Sequence, residues 1–241
     1  MIKKFVYDLF TGPSKDHALK HLALLEKRLP SARSRFAVPF VFRGRGHFKT
    51  IRPRQNPVEI ERLFEIVCEL NPSKVLEVGT ARGGTLYLWA QAATDDATLV
   101  SVDLPGGDFG GAYADCRSEL YQAFAHDAQT MHLLLADSHQ PQTLQNVVER
   151  FDNEPIDFAF IDGDHTYEGV KADFLDYGKL VRPGGIIAFH DILYRADQPT
   201  IRVDRLWQEL NEKYDCEALI GPDGSGKKVG IGVLRVPDGG I

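Results

Sequence analysis

Two short segments concentrate the side chains that can do chemistry. Phe160-Ile161-Asp162-Gly163-Asp164-His165-Thr166-Tyr167 sets three ionisable groups at the end of an apolar run, and Ala188-Phe189-His190-Asp191 ends the next run in the same way. If the two runs are neighbouring strands of a parallel sheet, their carboxyl ends share one edge and Asp162, His190 and Asp191 lie side by side. Carboxylates crowded in this way repel unless a proton or a cation intervenes. Oxygen-rich sets favour hard divalent ions such as Mg2+. His190 is unusual for Mg2+ and more at home with Mn2+, Fe2+ or Zn2+. Asp164 precedes a helix and reads equally well as its cap.

A second constellation lies upstream. The run KVLEV (74–78) leads into Glu77-Val78-Gly79-Thr80-Ala81-Arg82-Gly83-Gly84-Thr85. Small residues at such a bend let a ligand approach the backbone, and the next helix begins with its positive end facing that ligand. A second run ends in Asp103, 24 residues after Gly79, where a carboxylate can accept both hydroxyls of a ribose. Together they indicate a nucleoside-containing cofactor. A dinucleotide turn, G-x-G-x-x-G, needs its second glycine to admit a pyrophosphate, and Ala81 stands there. That weakens the alternative of an NAD-dependent oxidoreductase or epimerase. A non-catalytic cofactor-binding protein is the other alternative.

The elements that must position these groups follow from periodicity. Strands are expected at 74–78, 98–102, 131–135, 156–161 and 185–189, with helices between them at 84–93, 112–127, 141–150 and 167–179. Strand–helix alternation with nearly continuous apolar strands indicates a parallel sheet covered on both faces. The tail reads as a helix at 203–213, then strands at 216–220 and 229–235 joined by a flexible, turn-rich loop, an antiparallel edge. Ahead of the sheet, Leu19, Leu22, Leu25 and Leu29 mark an amphipathic helix over 15–29 that Pro30 ends. Residues 36–54 read as a loop or short hairpin. Asn56 and Pro57 open a further helix to about Leu70.

Charge divides the chain in two. Residues 1–54 carry 13 Lys and Arg against Asp8, Asp16 and Glu26, a balance of +10; the remainder carries 15 bases and 31 acids, a balance of −16. A basic extension (1–55), an acceptor lid or a contact in a homo-oligomer, is expected to precede an acidic domain (56–241). This division argues against a uniformly basic nucleic-acid binder, and no nucleic-acid partner is expected, but it leaves an anionic partner for the extension open. No apolar run approaches the roughly 18 residues of a membrane span. The basic start, Met1 to Phe5, has no long apolar stretch behind it, so no secretory leader and a cytoplasmic location are expected. Cys68, Cys116 and Cys216 are far apart and odd in number, which indicates neither a disulfide framework nor a thiolate zinc site.

The segments VLEVGTARGGTL, FIDGDHTYEGVKADF and LVRPGGIIAFHDI resemble the Methyltransf_24-type class I S-adenosylmethionine-dependent methyltransferases. That group includes macrolide sugar O-methyltransferases and the cephalosporin hydroxylase/rhamnosyl O-methyltransferase group. The resemblance covers about 56–236. It implies a doubly wound, Rossmann-like, seven-stranded α/β sheet, mostly parallel with an antiparallel C-terminal strand. It implies S-adenosylmethionine held by Glu77, Gly79, Thr80, Ala81, Gly83, Thr85, Asp103, Asp137, Ser138 and Asp162, the adenine lying against Asp137 or Ser138. It implies a divalent metal, Mg2+ or Mn2+, on Asp162, His190 and Asp191, with His190 departing from the usual carboxylate. His165, three residues after Asp162, matches the general base. The expected reaction is O-methylation of a small molecule or sugar hydroxyl. His126, His132, His139, Tyr167, Trp89 and Trp207 are expected to have packing or surface roles.

Overall fold

Five apolar runs become five parallel strands, because a strand covered by helices on both faces can carry apolar residues at every position. They are β1 (Lys74–Val78), β2 (Thr98–Asp103), β3 (Thr130–Leu135), β4 (Ile156–Ile161) and β5 (Val181–His190). All six residues of β4, the central strand of the whole sheet, are buried. Two further strands, β6 (Asp215–Leu219) and β7 (Ile231–Arg235), complete one seven-stranded sheet in the order β3-β2-β1-β4-β5-β7-β6. β7 runs antiparallel to β5. The expected architecture, an α/β sheet that is mostly parallel with an antiparallel C-terminal strand, is the one observed. The computed structural model describes residues 2–105, 113–221 and 229–241, and for 2–11 the backbone alone. The loop expected to join the last two strands lies, apart from its ends, outside the described residues.

The strand order reverses direction between β1 and β4, and such a switch point opens a crevice beyond the carboxyl ends. Register then fixes what faces the crevice. Val78 pairs with Ile161, and Ile161 pairs with Phe189. The residues that follow, Gly79, Asp162 and His190, therefore leave three adjacent strands at one level.

The helices have readable signals. α4 (Pro57–Leu70) starts where Asn56 accepts a bond from the Val58 amide at 3.0 Å and ends at Asn71 in a left-handed conformation. α5 (Gly84–Ala92) is buried along its whole length. α7 (Pro141–Arg150), α8 (Tyr167–Tyr177) and α9 (Val203–Asn211) contribute Val147, Phe174, Tyr177, Leu206 and Leu210 to the core on the other face of the sheet. The three cysteines are unpaired. Among the described residues no helix is long and apolar enough to cross a membrane.

Three expectations need correction. The helix expected over 112–127 shrinks to α6 (Ser118–Gln122), preceded by one 3-10 turn, Asp115–Arg117; residue 112 lies outside the described residues. Polar side chains close turns where the helix was expected to continue: Asp127 has φ of 50°, and Gln129 bonds the carbonyls of Ala90 and Thr94. The N-terminal helix is longer than its leucine spacing indicates, running as α1 (Ile2–Arg28) through Pro13. Past Pro30, residues 36–54 form neither a hairpin nor a plain loop. After α2 (Ala32–Arg35) come α3 (Val38–Val41) and a 3-10 turn at Gly46–Phe48.

The basic extension packs on the sheet rather than trailing from it. Ala18, Leu22, Phe42, Phe48 and Ile51 are fully or almost fully buried in the same cluster as Leu63, Trp89 and Phe158. Arg117 donates to the carbonyls of His47 and Thr50 and, at 3.0 Å, to that of Arg82 in the glycine turn. Gly84 makes the contact close: a Cβ there would fall 2.2 Å from the Ile51 carbonyl oxygen and 2.6 Å from Pro53. Gly84→Ala is therefore expected to lever residues 51–53 away, at a cost of about 2–3 kcal/mol in denaturant unfolding. Trypsin, to which Arg43–Arg54 of the wild type are expected to resist, is expected to cut there in the variant.

Candidate active site

The glycine turn is built to bring chain close to chain. Gly79 has φ of 92°, and a Cβ there would stand 2.1 Å from the Asp162 carbonyl oxygen. Only glycine lets the end of β1 lie against the end of β4 in this way. Gly83, φ of 77°, lies on the Tyr121 ring. Ala81 takes a positive φ of 44°, held from both sides. Its amide donates to Asp103 Oδ2 at 2.8 Å, and its carbonyl accepts from the Tyr121 hydroxyl at 2.9 Å. Asp103 thus already spans from the end of β2 to the turn. Thr80 and Ser101 share a short hydroxyl contact beneath it. Glu77 is fully buried and accepts from the Trp89 indole at 3.0 Å. Burial pushes the Glu77 carboxyl up to about 8, opposed by the hydroxyls of Thr85 and Thr80 and by that indole.

The edge beyond β3 is a capped turn. Asp137 accepts from the His139 amide and from the Gln140 side chain, each at 3.0 Å, just before α7. The Ser138 carbonyl accepts from the Tyr177 hydroxyl at 2.7 Å. Asp164 likewise accepts from the Thr166 amide at 2.8 Å, and Thr166 caps α8 through the Gly169 amide. Asp164 therefore steadies the cap residue but is not itself the cap, which is Thr166.

The four groups at the ends of β4 and β5 converge. Asp162 Oδ1 is 3.1 Å from both His165 Nε2 and His190 Nδ1. Asp191 Oδ2 is 3.2 Å from His190 Nδ1 and 3.4 Å from His165 Nδ1. All four residues are largely or wholly shielded from solvent, and Asp191 holds a positive φ of 60°. Burial opposes every charge here, and the mutual attraction prevails. Asp162 is held well below the usual carboxylate range by His190 and His165. Asp191 is lowered by His190 and His165, and both imidazoles are raised by the two acids.

These residues fit a divalent cation. Ligand atoms in adjacent octahedral positions around an ion at 2.0–2.1 Å lie about 3 Å apart, close to the 3.1 and 3.2 Å that separate His190 Nδ1 from Asp162 Oδ1 and Asp191 Oδ2, and Asp162, His165 and Asp191 likewise bring one ligand atom each within 4.8 Å of the others. His190 is buried, yet neither of its ring nitrogens makes an aligned hydrogen bond within the described structure. An imidazole with unused lone-pair or donor capacity beside two carboxylates is a donor set for Mn2+, Fe2+ or Zn2+ more than for Mg2+.

The cluster opens on a cavity of about 690 Å3, walled by Arg54, Asp162, His165, His190, Asp191 and Arg195, with Asp197–Ile201 and Val229 at its margin. Several of its supports carry no sequence signal. Gln55 Nε2 donates to Asp162 Oδ2 at 2.6 Å. Glu59, buried on α4, accepts from the amides of Gly221 and Gly230 and so ties α4 to the start of β7. Leu193 donates to Val229 there, which fixes the chain just past Asp191. Arg195, four residues after Asp191, has no spacing rule to reveal it. Of the basic residues from Arg43 to Arg54, only Arg54 reaches the cavity wall. Arg43 donates to the carbonyls of Phe40 and Phe42, and Arg52 stacks on Phe40.

Tyr167 and Lys171 stand at the Tyr-x-x-x-Lys spacing that an oxidoreductase reading would look for. Both are tied to Glu209 of α9, and none of the three lines the cavity. The objection to that reading therefore rests on Ala81 and on where this pair lies. Trp89 and Trp207 pack in the core as expected.

Known proteins resemble this chain in sequence and fold. Residues 76–192, just under half of the chain, match the profile of a methyltransferase domain, Methyltransf_24. An uncharacterised protein of Sinorhizobium fredii, y4gI, is 30% identical over 60% of this chain and 16% of its own length. A probable caffeoyl-CoA O-methyltransferase 3 of Dictyostelium discoideum is 29% identical over 52% of this chain and 46% of its own. The chain thus spans less than half the length of either relative. An O-methyltransferase from Bacillus cereus, solved in complex with SAH, superposes with a TM-score of 0.57 at 20% identity, over 98% of this chain and all of that one. The resemblance read from the three sequence blocks is borne out over residues 76–192, which match a methyltransferase-domain profile.

His139 takes a larger part than a surface histidine. Its Nε2 is 3.3 Å from Asp173, a fully buried carboxylate, and its Nδ1 is 3.8 Å from Asp137. The nearby Asp173 carboxylate raises the imidazole to about 9, against partial burial and with help from the Gly169 carbonyl. The folded value lies above the unfolded value of about 6.5. This stabilisation is therefore complete below about pH 6.5 and is lost as pH rises through about 9. Thermal unfolding is expected to show a fall in Tm of about 2–6 °C across that window. His139→Gln removes the fall and destabilises by about 1–3 kcal/mol at pH 6.5.

Proposed function

We propose that this protein transfers a methyl group from S-adenosylmethionine to a hydroxyl oxygen of a small molecule or sugar, with help from a divalent cation. The observation that carries the proposal is the convergence of Asp162, His165, His190 and Asp191 beside the glycine turn, each imidazole lying 3.1–3.4 Å from both carboxylates. The sulfonium cofactor supplies an electrophilic methyl, and a bound Mg2+ or Mn2+ lowers the pKa of the hydroxyl it touches. The chain does the rest.

Gly79 and Gly83 keep the turn open to a ligand, and Thr80, Ala81 and Thr85 line its backbone. Asp103 takes the ribose hydroxyls while holding the Ala81 amide. Asp137 and Ser138 present polar atoms to the adenine edge. Glu77 braces the turn from below through Trp89 and the threonine hydroxyls. Asp162, His190 and Asp191 hold the cation. His165 accepts the hydroxyl proton: its ring lies at the cavity wall, and a cation on Asp162 and Asp191 would offset the acid charge that otherwise keeps the imidazole protonated. Alignment matters most in this reaction, since an in-line displacement at carbon requires acceptor oxygen, methyl and sulfur on one axis. The residues around the cavity serve that alignment by fixing the acceptor.

Calorimetry with S-adenosylmethionine and its demethylated product is the first test. Both are expected to bind, and Asp103→Asn to weaken both about tenfold; absence of binding by either rejects the proposal. In turnover assays, chelator is expected to abolish methyl transfer, and Mn2+ or Mg2+ to restore it. Asp162→Ala is expected to lose at least about 100-fold in kcat while still binding the cofactor product. Full activity in chelator would exclude the cation from the reaction. Cofactor binding with no turnover on any hydroxylated acceptor would favour a non-catalytic binder.

A further inference from the structure

The cavity holds two guanidinium groups that cofactor binding and proton transfer leave unused. Arg54 enters from the segment before α4, directly ahead of Gln55, whose side chain touches Asp162. Arg195 enters from the loop between β5 and α9. Arg54 is exposed and makes no ion pair among the described residues. Arg195 differs: only 11% of its side chain is exposed. Its Nη1 is 3.7 Å from Asp191 and its Nη2 is 3.3 Å from Asp197, an exposed carboxylate at the cavity margin. Its Nε is buried and has no hydrogen-bond partner in the described structure. A guanidinium this far from water, with one donor unused and one partner loosely placed, has capacity for another oxyanion.

We infer that the acceptor carries a carboxylate or a phosphate, and that Arg195 and Arg54 bind it. The inference rests on the methyl-transfer reading for the identity of the hydroxyl, but not for the subsite. Once Asp162 and Asp191 serve a cation, the fixed charges left on the wall are the two arginines and Asp197. The balance is then positive, which favours an anionic ligand over a neutral one. Planar guanidinium forks match the two oxygens of a carboxylate or phosphate, and the cluster of Asp162, His165, His190 and Asp191 shares the same cavity. The anion thus orients the acceptor with its hydroxyl toward His165. Asp197 holds Arg195 in place until the acceptor anion replaces it.

Glucose, glucuronate and glucose 6-phosphate form a matched set of probes: one neutral, one carboxylate, one phosphate. Saturation-transfer NMR on the full chain, with Mg2+ present and with and without the demethylated cofactor, reads their binding directly. At least one anionic probe is expected to bind at least about tenfold more tightly than glucose. Arg54→Met and Arg195→Met are each expected to lose about tenfold of that affinity, and Asp197→Asn to gain. Preference for glucuronate over glucose 6-phosphate, or the reverse, identifies the anion. Equal binding of all three, no binding of either anion, or anion binding that survives both arginine substitutions and so comes from the metal alone, overturns the inference. Arg54 is exposed, so its variant keeps the test valid should Arg195→Met fail to fold. Cofactor binding is read in the same samples. Its absence rejects the methyl-transfer reading, whereas its retention without anion preference rejects only the subsite.

Discussion

The close approach of β1 to β4 is the constraint on which the site depends. Asp162 and Gly79 leave adjacent strands at the same level, and the Asp162 carbonyl occupies the space that a side chain at residue 79 would fill. The Asp162 amide in turn donates to the Val78 carbonyl at 2.8 Å. A ligand held by the glycine turn and a group held by Asp162 are therefore forced into proximity by backbone contacts alone. Side-chain substitution at Asp162 changes the chemistry without moving the strand end that carries it. The same logic extends to β5, where the register of Ile161 with Phe189 sets His190 beside Asp162.

Bringing two acids and two imidazoles together under cover is costly unless their charges balance. Here they do, pairwise, through contacts of 3.1–3.4 Å. A buried ion cluster of this kind is poor evidence for stability, since well-packed apolar residues of equal volume would serve as well or better. Its persistence at the mouth of a cavity, with Asp191 in a left-handed conformation, marks a place where local stability yields to chemistry. The structure compensates from outside the cluster. Gln55 holds one oxygen of Asp162, and the Glu59–Gly230 and Leu193–Val229 bonds secure the backbone that follows Asp191.

How much of this is legible in sequence depends on whether a group acts locally or through distant chain. The strands are legible because each is a nearly continuous apolar run, and the site's main residues because each ends such a run. Asp103, Asp162, His190 and Asp191 need only the rule that parallel strands share an edge. Gln55, Glu59 and Arg195 obey no such rule. Each acts across a contact set by tertiary packing, as Glu59 does with amides more than 160 residues away. The region after β2 misleads for a related reason. Tyr121 and Phe124 carry a helical spacing but are spent on the glycine turn and on Tyr87, and polar side chains turn the chain soon after. Apolar spacing there reports burial rather than helix length.

The charge division of the chain also acquires a physical meaning. A balance of +10 ahead of −16 invites the picture of a basic arm clamped on an acidic body by salt bridges. The contacts differ from that picture. Among the described residues two ion pairs join the extension to the rest, Lys15–Glu119 and Arg33–Glu65, and each has a well-exposed acid, so each contributes at most about 1 kcal/mol. Docking comes instead from buried Leu22, Phe42, Phe48 and Ile51, from the Arg117 bonds to backbone carbonyls, and from the bare face of Gly84. Arg35, Arg43 and Arg52 are occupied by carbonyls, an amide and an aromatic ring. Most of the described positive charge therefore stays in solvent or close to its own segment rather than docking the extension. Arg54 is the exception among the residues from Arg43 onward, and it is the one that faces the acids of the cavity. A segment docked by apolar burial can deliver a single cation to a chosen place, which a segment docked by its charges could not do without using that cation for the docking itself.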